Sequence, residues 1–244
     1  MEPAIFIGGD VGFHNDHAKD ARARLRAGKA YRDISTIIIV PTRGMIPARA
    51  VENWLGLMTP MNQKVVRLFV AGMEVGDAYT KAIETILAHP DLSKWKYILT
   101  LEEDNLPPPD GLLKLYESMD KYAVVGGLYW CKGPGGQPMI YGDPKGMLNF
   151  IPQIPRVETV QECRGLGMGF TLFDMKVFRD PAIERPWFQT VQDYHPDRGS
   201  RGYTQDLFLF EKLAKAGYKV ACDTRVKVGH LDYNGSFGPE GQVW

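Results

Sequence analysis

From Ser35 onward, apolar and polar positions settle into a repeating order of strand and helix patterns. Thr36-Ile37-Ile38-Ile39-Val40 is an unbroken, largely β-branched run, which is how a strand buried on both faces reads. It stops at Pro41-Thr42-Arg43-Gly44, and residues 46–58 then carry an amphipathic helical pattern. Residues 65–70 read as a second strand, 75–87 as a second helix and 97–101 as a third strand. A helix is expected over 110–119 with Asp110 as its N-cap, followed by a strand over 122–129. Strands alternating with helices predict a mostly parallel sheet flanked by helices.

The second half is less regular. Residues 132–160 are rich in proline and glycine with little periodicity, and are expected to form a long loop or hairpin insertion. Gly165-Leu166-Gly167-Met168-Gly169-Phe170 opens a strand over 171–173, its spaced glycines allowing close backbone approach. Because these glycines precede a strand rather than follow one, they are not a dinucleotide-binding fingerprint. Residues 180–203 read as a second long loop, rich in aromatics and charge. A helix follows over 204–216, with Gly217 at its end and Leu207, Phe210, Leu213 and Ala214 as its core face. Residues 218–228 supply the last strands, interrupted by Asp223.

The parts outside this pattern are an N-terminal extension (1–33) and a glycine-rich tail (233–244). Residues 34–232 then read as one domain with two halves, 34–130 and 131–232. In the extension, residues 4–7 suggest a short strand and 16–31 a helix whose arginines form a solvated face. His14 and His17 have a ligand-like spacing, but no third ligand is nearby, so a polar loop and helix cap is the better reading.

Composition changes this picture little. An apolar share of 44% is enough for a core. Lys+Arg and Asp+Glu are equal at 29 each, so no global positive field points to nucleic acid. The three cysteines are scattered and odd in number, which fits neither a metal site nor a disulfide framework. A reducing, cytoplasmic setting without a signal peptide or membrane span is expected.

Candidate chemistry concentrates where the third strand runs out. Leu101 is followed by Glu102-Glu103-Asp104-Asn105 and then by three prolines. Adjacent carboxylates repel one another, and a cation among them relieves that repulsion. Alternation along a strand would send Glu102 and Asp104 into one site and Glu103 elsewhere. Oxygen ligands so closely spaced suit a hard divalent ion, Mg²⁺ or Mn²⁺. On these residues alone, a solvated acidic turn is an equally good reading. In favour of a site, both Pro41-Thr42-Arg43 and the acids lie at carboxyl ends of strands, where ligands bind in such sheets.

The series Val40-Pro41-Thr42-Arg43, Leu101 to Asn105, Gly165 to Phe170, Thr204-Gln205-Asp206, Ala216-Gly217-Tyr218 and Val228-Gly229-His230-Leu231 resembles the GT-A-fold glycosyltransferases. The likeness is to family-2-like members, including short ones from phages and bacteria, and it covers roughly residues 35–232. The resemblance implies transfer of a sugar from a nucleotide-diphosphate sugar, most simply a UDP-sugar, to a hydroxyl acceptor. Glycan, protein and modified DNA bases are all open as acceptors. It also implies Asp104 and His230 as ligands of Mn²⁺ or Mg²⁺, and Asp206 as the general base of an inverting reaction. Pro41, Thr42, Arg43, Glu102, Glu103, Gly167 and Met168 would line the donor site. Three departures stand out: Glu102 replaces the usual first aspartate, Gln205 the acidic partner of the base, and Tyr79 a frequent arginine. A sugar nucleotidyltransferase would want a glycine- and lysine-rich loop after the first strand, which is lacking. A non-catalytic carbohydrate-binding or virion protein is disfavoured by the presence of both Asp104 and Asp206.

Overall fold

A computed structural model describes residues 23–24, 34–61, 63–132, 135–197 and 199–231, with seven side chains of the 193–203 segment left out. The expectations for residues 4–7, 16–31, His14, His17 and the tail fall outside, or almost outside, the described residues.

The central sheet has seven strands in the order β2-β1-β3-β9-β5-β12-β7. These are β1 (Ser35–Thr42), β2 (Lys64–Ala71), β3 (Tyr97–Leu101), β5 (Val124–Leu128), β7 (Val160–Cys163), β9 (Phe170–Asp174) and β12 (Val220–Lys227). β1 pairs in parallel with both β2 and β3, and β5 with β12. β9 is antiparallel to its neighbours β3 and β5, and β7 to β12. Five of the seven strands therefore run one way, as the strand–helix alternation predicts. The two reversed strands both come from the irregular second half.

Strand alternation divides the core into two layers. Ile37 and Ile39 of β1 face helices α2 (Val75–Ala88) and α5 (Gln205–Lys215), with Tyr79, Ile83, Phe173, Phe210 and Leu213. Ile38 and Val40 face α1 (Ala48–Leu55) and α3 (Gly111–Tyr116), with Trp54, Leu99, Leu112 and Leu172. A short helix α4 (Lys176–Arg179) follows β9. Small paired strands complete the fold: β4 (Asn105–Leu106) with β13 (Gly229–His230), β6 (Ile140–Tyr141) with β8 (Gly165–Leu166), and β10 (Val191–His195) with β11 (Gly199–Tyr203).

Several local expectations are corrected. Asp110 stands at the N-cap of α3 but its side chain makes no capping hydrogen bond; it pairs with Lys114 at 2.9 Å, both buried. On α5 the fully buried apolar residues are Leu209, Phe210 and Leu213, whereas Leu207 and Ala214 are only half-buried. Asp223 does not interrupt β12; it is chelated by Arg225 within the strand, where the pairing with β5 shifts register. The loop over 180–203 contains the β10–β11 hairpin. The α2 cap was not foreseen: Glu74 accepts from the N–H groups of Gly76 and Asp77, satisfying two otherwise orphaned donors.

Candidate functional site

The carboxyl ends of β1, β3 and β5 open on one edge of the sheet, and the acidic segment sits there. Glu102 to Asn105 is a turn, closed by the Asn105 N–H donating to the Glu102 carbonyl at 3.1 Å. The three carboxylates diverge because of this turn rather than by continued strand alternation. Glu103 swings back to the end of β1. It accepts from the Thr42 hydroxyl (2.7 Å), the Arg43 N–H (3.0 Å) and Arg43 Nε (2.5 Å). Its charge is thereby matched. Thr42 and Arg43 are held at the strand end with their remaining surface exposed, while Pro41 is buried within β1.

Glu102 and Asp104 turn the other way. Tyr79, fully buried on α2, donates its hydroxyl to Glu102 Oε1 at 3.4 Å. Burial, with Asp104 and Asp206 nearby, pushes the Glu102 carboxyl up to about 8. Asp206, 5% exposed in the first turn of α5, is raised above the ordinary aspartate range by desolvation. Its Oδ1 accepts from the Thr204 hydroxyl and from the Leu207 N–H at 2.9 Å, which opposes part of that rise. Three carboxylates thus share one poorly solvated locus.

His230 is carried there by backbone pairing. β13 adds to β4 with His230 opposite Asn105, and the Leu231 N–H donates to the Asp104 carbonyl at 2.8 Å. The imidazole Nε2 stands 3.7 Å from Asp104 Oδ1, and its Nδ1 is 2.7 Å from the Trp130 carbonyl. A carbonyl only accepts, so Nδ1 carries the hydrogen. In the neutral ring Nε2 then presents a lone pair towards a carboxylate oxygen. A second proton on the ring or a cation between the two groups reconciles them at that distance. A backbone carbonyl fixing the far ring nitrogen is also the usual support of a metal-binding histidine. Ligands at about 2.1 Å from a divalent ion span such a gap. Asp104 and His230 are therefore the residues that could hold a divalent ion here. No group of three or more histidine, cysteine or acidic residues suited to a metal occurs among the described residues.

Sequence reasoning missed Lys132. Its ammonium donates to Asp104 Oδ2 at 2.5 Å, from the hairpin that follows β5. Nothing local distinguishes it from a surface lysine. The glycines do not open onto a ligand as their spacing suggested. A Cβ on Gly167 would lie 2.0 Å from the Tyr129 hydroxyl, and one on Gly169 2.4 Å from Asn105 Oδ1. Met168 between them is buried. Their small size admits Tyr129, which lies edge-on to His230 with ring centroids 5.4 Å apart, and Asn105, next to Asp104. Trp187 belongs to the core, packed against Phe178 and donating to the Ile183 carbonyl. A groove of about 470 Å³ lies at the opposite end of α2, lined by Glu84, Phe178, Arg185 and Trp187. It holds a Glu84–Arg185 ion pair rather than an acidic excess.

No protein-family model matches the chain, and no curated protein matches its sequence. Among solved structures, the crystal structure of A197 from STIV is similar over 81% of this chain and 86% of that chain, with a TM-score of 0.56 and 18% identity. The fold is GT-A-like. The crystal structure of S. aureus TarS 1-349 is similar over 78% of this chain and 58% of that chain, at a TM-score of 0.43 and 12% identity, too weak a likeness to carry an argument. Within this GT-A-like frame Asp104, Glu102, Asp206 and His230 gather at the carboxyl edge of the sheet, from four separate stretches of sequence counted with Tyr79. No helix among the described residues is long and apolar enough to cross a membrane.

Proposed function

We propose that this chain is a metal-dependent glycosyltransferase that moves a sugar from a nucleotide-diphosphate sugar, a UDP-sugar in the simplest case, to a hydroxyl acceptor with inversion. The observation that carries the reading is the approach of His230 Nε2 to Asp104 Oδ1 at 3.7 Å, lone pair towards carboxylate, on the edge of a GT-A-like sheet. Asp104 and His230 would hold Mn²⁺ or Mg²⁺, which when bound neutralises charge on the departing diphosphate. Thr42 and Arg43, fixed by Glu103, line the nucleotide side. Asp206 is the general base: its Oδ1 is held by Thr204 and Leu207, leaving Oδ2 to take the acceptor proton. Desolvation strengthens it in that role. Glu102 stands where a first aspartate is usual, and Tyr79 orients it. The acceptor is a glycan, a protein or a modified DNA base, and the enzyme acts in the cytoplasm.

The test is a screen of nucleotide sugars with and without Mn²⁺, read as release of nucleoside diphosphate. One donor is expected to show metal-dependent hydrolysis, abolished in Asp104→Ala and His230→Ala. Metal-independent turnover, or unchanged nucleotide affinity in Asp104→Ala, overturns the assignment.

A further inference from the structure

After β5, residues 129–131 pair with residues 137–139. The Cys131 N–H donates to the Gln137 carbonyl at 2.9 Å, the Met139 N–H donates to the Tyr129 carbonyl at 2.9 Å, and Trp130 bridges Pro138. The same hairpin stem supplies the Trp130 carbonyl that fixes His230. Lys132 follows directly on the last of these pairings, and its four-carbon arm reaches Asp104. Its ammonium is the cation on Oδ2, while Oδ1 of the same carboxylate faces the imidazole. About a third of the lysine side chain remains open to solvent, whereas Asp104 is 15% exposed.

One carboxylate thus holds an ammonium on one oxygen and faces an imidazole with the other. A divalent ion seated between Oδ1 and Nε2 would sit within a few ångströms of the ammonium on Oδ2, and like charges so close in a poorly solvated pocket repel. Lysine is a compact point charge on a flexible stem with three rotatable donors, so it can leave one anion for another where a planar guanidinium fork could not do so as easily. The nearest new anion is whatever the ion brings with it.

We propose that Lys132 is a resident counter-ion of Asp104 that competes with the divalent metal and, once displaced, clamps the diphosphate of the incoming nucleotide. The proposal rests on the donor-site reading above. It accounts for an ammonium set within an acidic cluster: Lys132 pairs with Asp104 and offsets part of the repulsion between Asp104 and Glu102. It also makes metal and nucleotide binding mutually supportive, because the metal releases the cation that the nucleotide uses.

The experiment measures Mn²⁺ affinity by calorimetry or electron paramagnetic resonance in the wild type, Lys132→Met, Lys132→Arg and Asp104→Asn, each shown to be folded by circular dichroism and cooperative unfolding. UDP affinity is then measured at saturating Mn²⁺. Removing a competing, partly exposed charge-assisted pair is expected to tighten Mn²⁺ binding about three- to tenfold in Lys132→Met without nucleotide. Lys132→Arg, whose fork gives up the carboxylate less readily, binds Mn²⁺ more weakly than the wild type. In the same Lys132→Met protein UDP binds about tenfold more weakly, so the two affinities move in opposite directions. A merely structural ion pair would weaken both. Equal or weaker Mn²⁺ binding in Lys132→Met, with Asp104→Asn still losing the metal, overturns this proposal alone. Tighter Mn²⁺ with unchanged UDP affinity removes the clamp. Mn²⁺ binding that survives in Asp104→Asn, or is absent from every protein, overturns the donor site and the proposal together.

Discussion

Two acidic clusters in this chain look alike in composition and differ in balance. On the far side of the sheet, Asp223 is wholly buried, yet Arg225 chelates it with bonds of 2.9 and 2.6 Å. Arg225 also reaches Glu117 at 3.1 Å, and Arg24 pairs with the same glutamate. Two acids meet two guanidinium groups, and the acids hold the Arg225 charge firmly in place. At the carboxyl edge, Glu102, Asp104 and Asp206 share one locus, and of the cations among the described residues Lys132 pairs with Asp104 there. Burial there raises Glu102 and Asp206 instead of being offset. A buried acid that is matched holds the fold together. An acidic excess that the fold tolerates at its own expense marks a place built for something else to bind.

The largest break in the comparison should come from Asp206→Asn. Transfer is expected to fall about 10²- to 10⁴-fold, the usual worth of a positioned base. Donor binding should persist, and full transfer would remove Asp206 from the mechanism. The same change should stabilise the protein. Because the folded-state value of Asp206 is raised, its ionised form opposes folding: the penalty is absent below the ordinary aspartate value and grows as pH rises through the folded one. Asparagine retains the acceptor for Thr204 and Leu207 but carries no charge. Unfolding followed from pH 7 down towards pH 4 should therefore show a variant more stable than the wild type at neutral pH, the gap closing on acidification.

Asp223→Ala should do the reverse. It leaves a partly buried guanidinium with half its support, so stability should drop by about 2–3 kcal/mol in urea unfolding, at unchanged slope. Mn²⁺ affinity should be unaffected, and a shift in it would mean that the two clusters are coupled.

The smallest effect sharpens the comparison within a single turn. Glu103 belongs to the acidic stretch in sequence but to the matched class in space, through Thr42 and Arg43. Glu103→Gln should cost about 1 kcal/mol of stability. Loosening of the β1 end should raise KM for the donor several-fold with kcat nearly constant. A fall in kcat at constant KM would instead place Glu103 among the reacting groups.

Much of this could be read from local pattern. The β-branched run of residues 36–40, the apolar strand over 97–101 and the helix over 75–88 are specified by side chains whose periodicity matches their burial on both faces of one sheet. The acids followed by prolines at a strand end were legible for the same reason, because chain direction and the end of regular structure are local properties. The irregular second half was less so. The placement of β9 between β3 and β5 depends on which strands meet, and proline- and glycine-rich stretches carry no period that announces it.

The sequence by itself determined the elements, their order, and that three carboxylates would crowd the end of β3. Only the tertiary structure decided which of them are matched. Backbone pairing of β13 with β4 brings His230 to Asp104, the hairpin after β5 delivers Lys132, and Tyr79 of α2 meets Glu102. Charge balance in a buried cluster is a sum over partners distant along the chain, and a one-dimensional pattern holds no record of those distances in space.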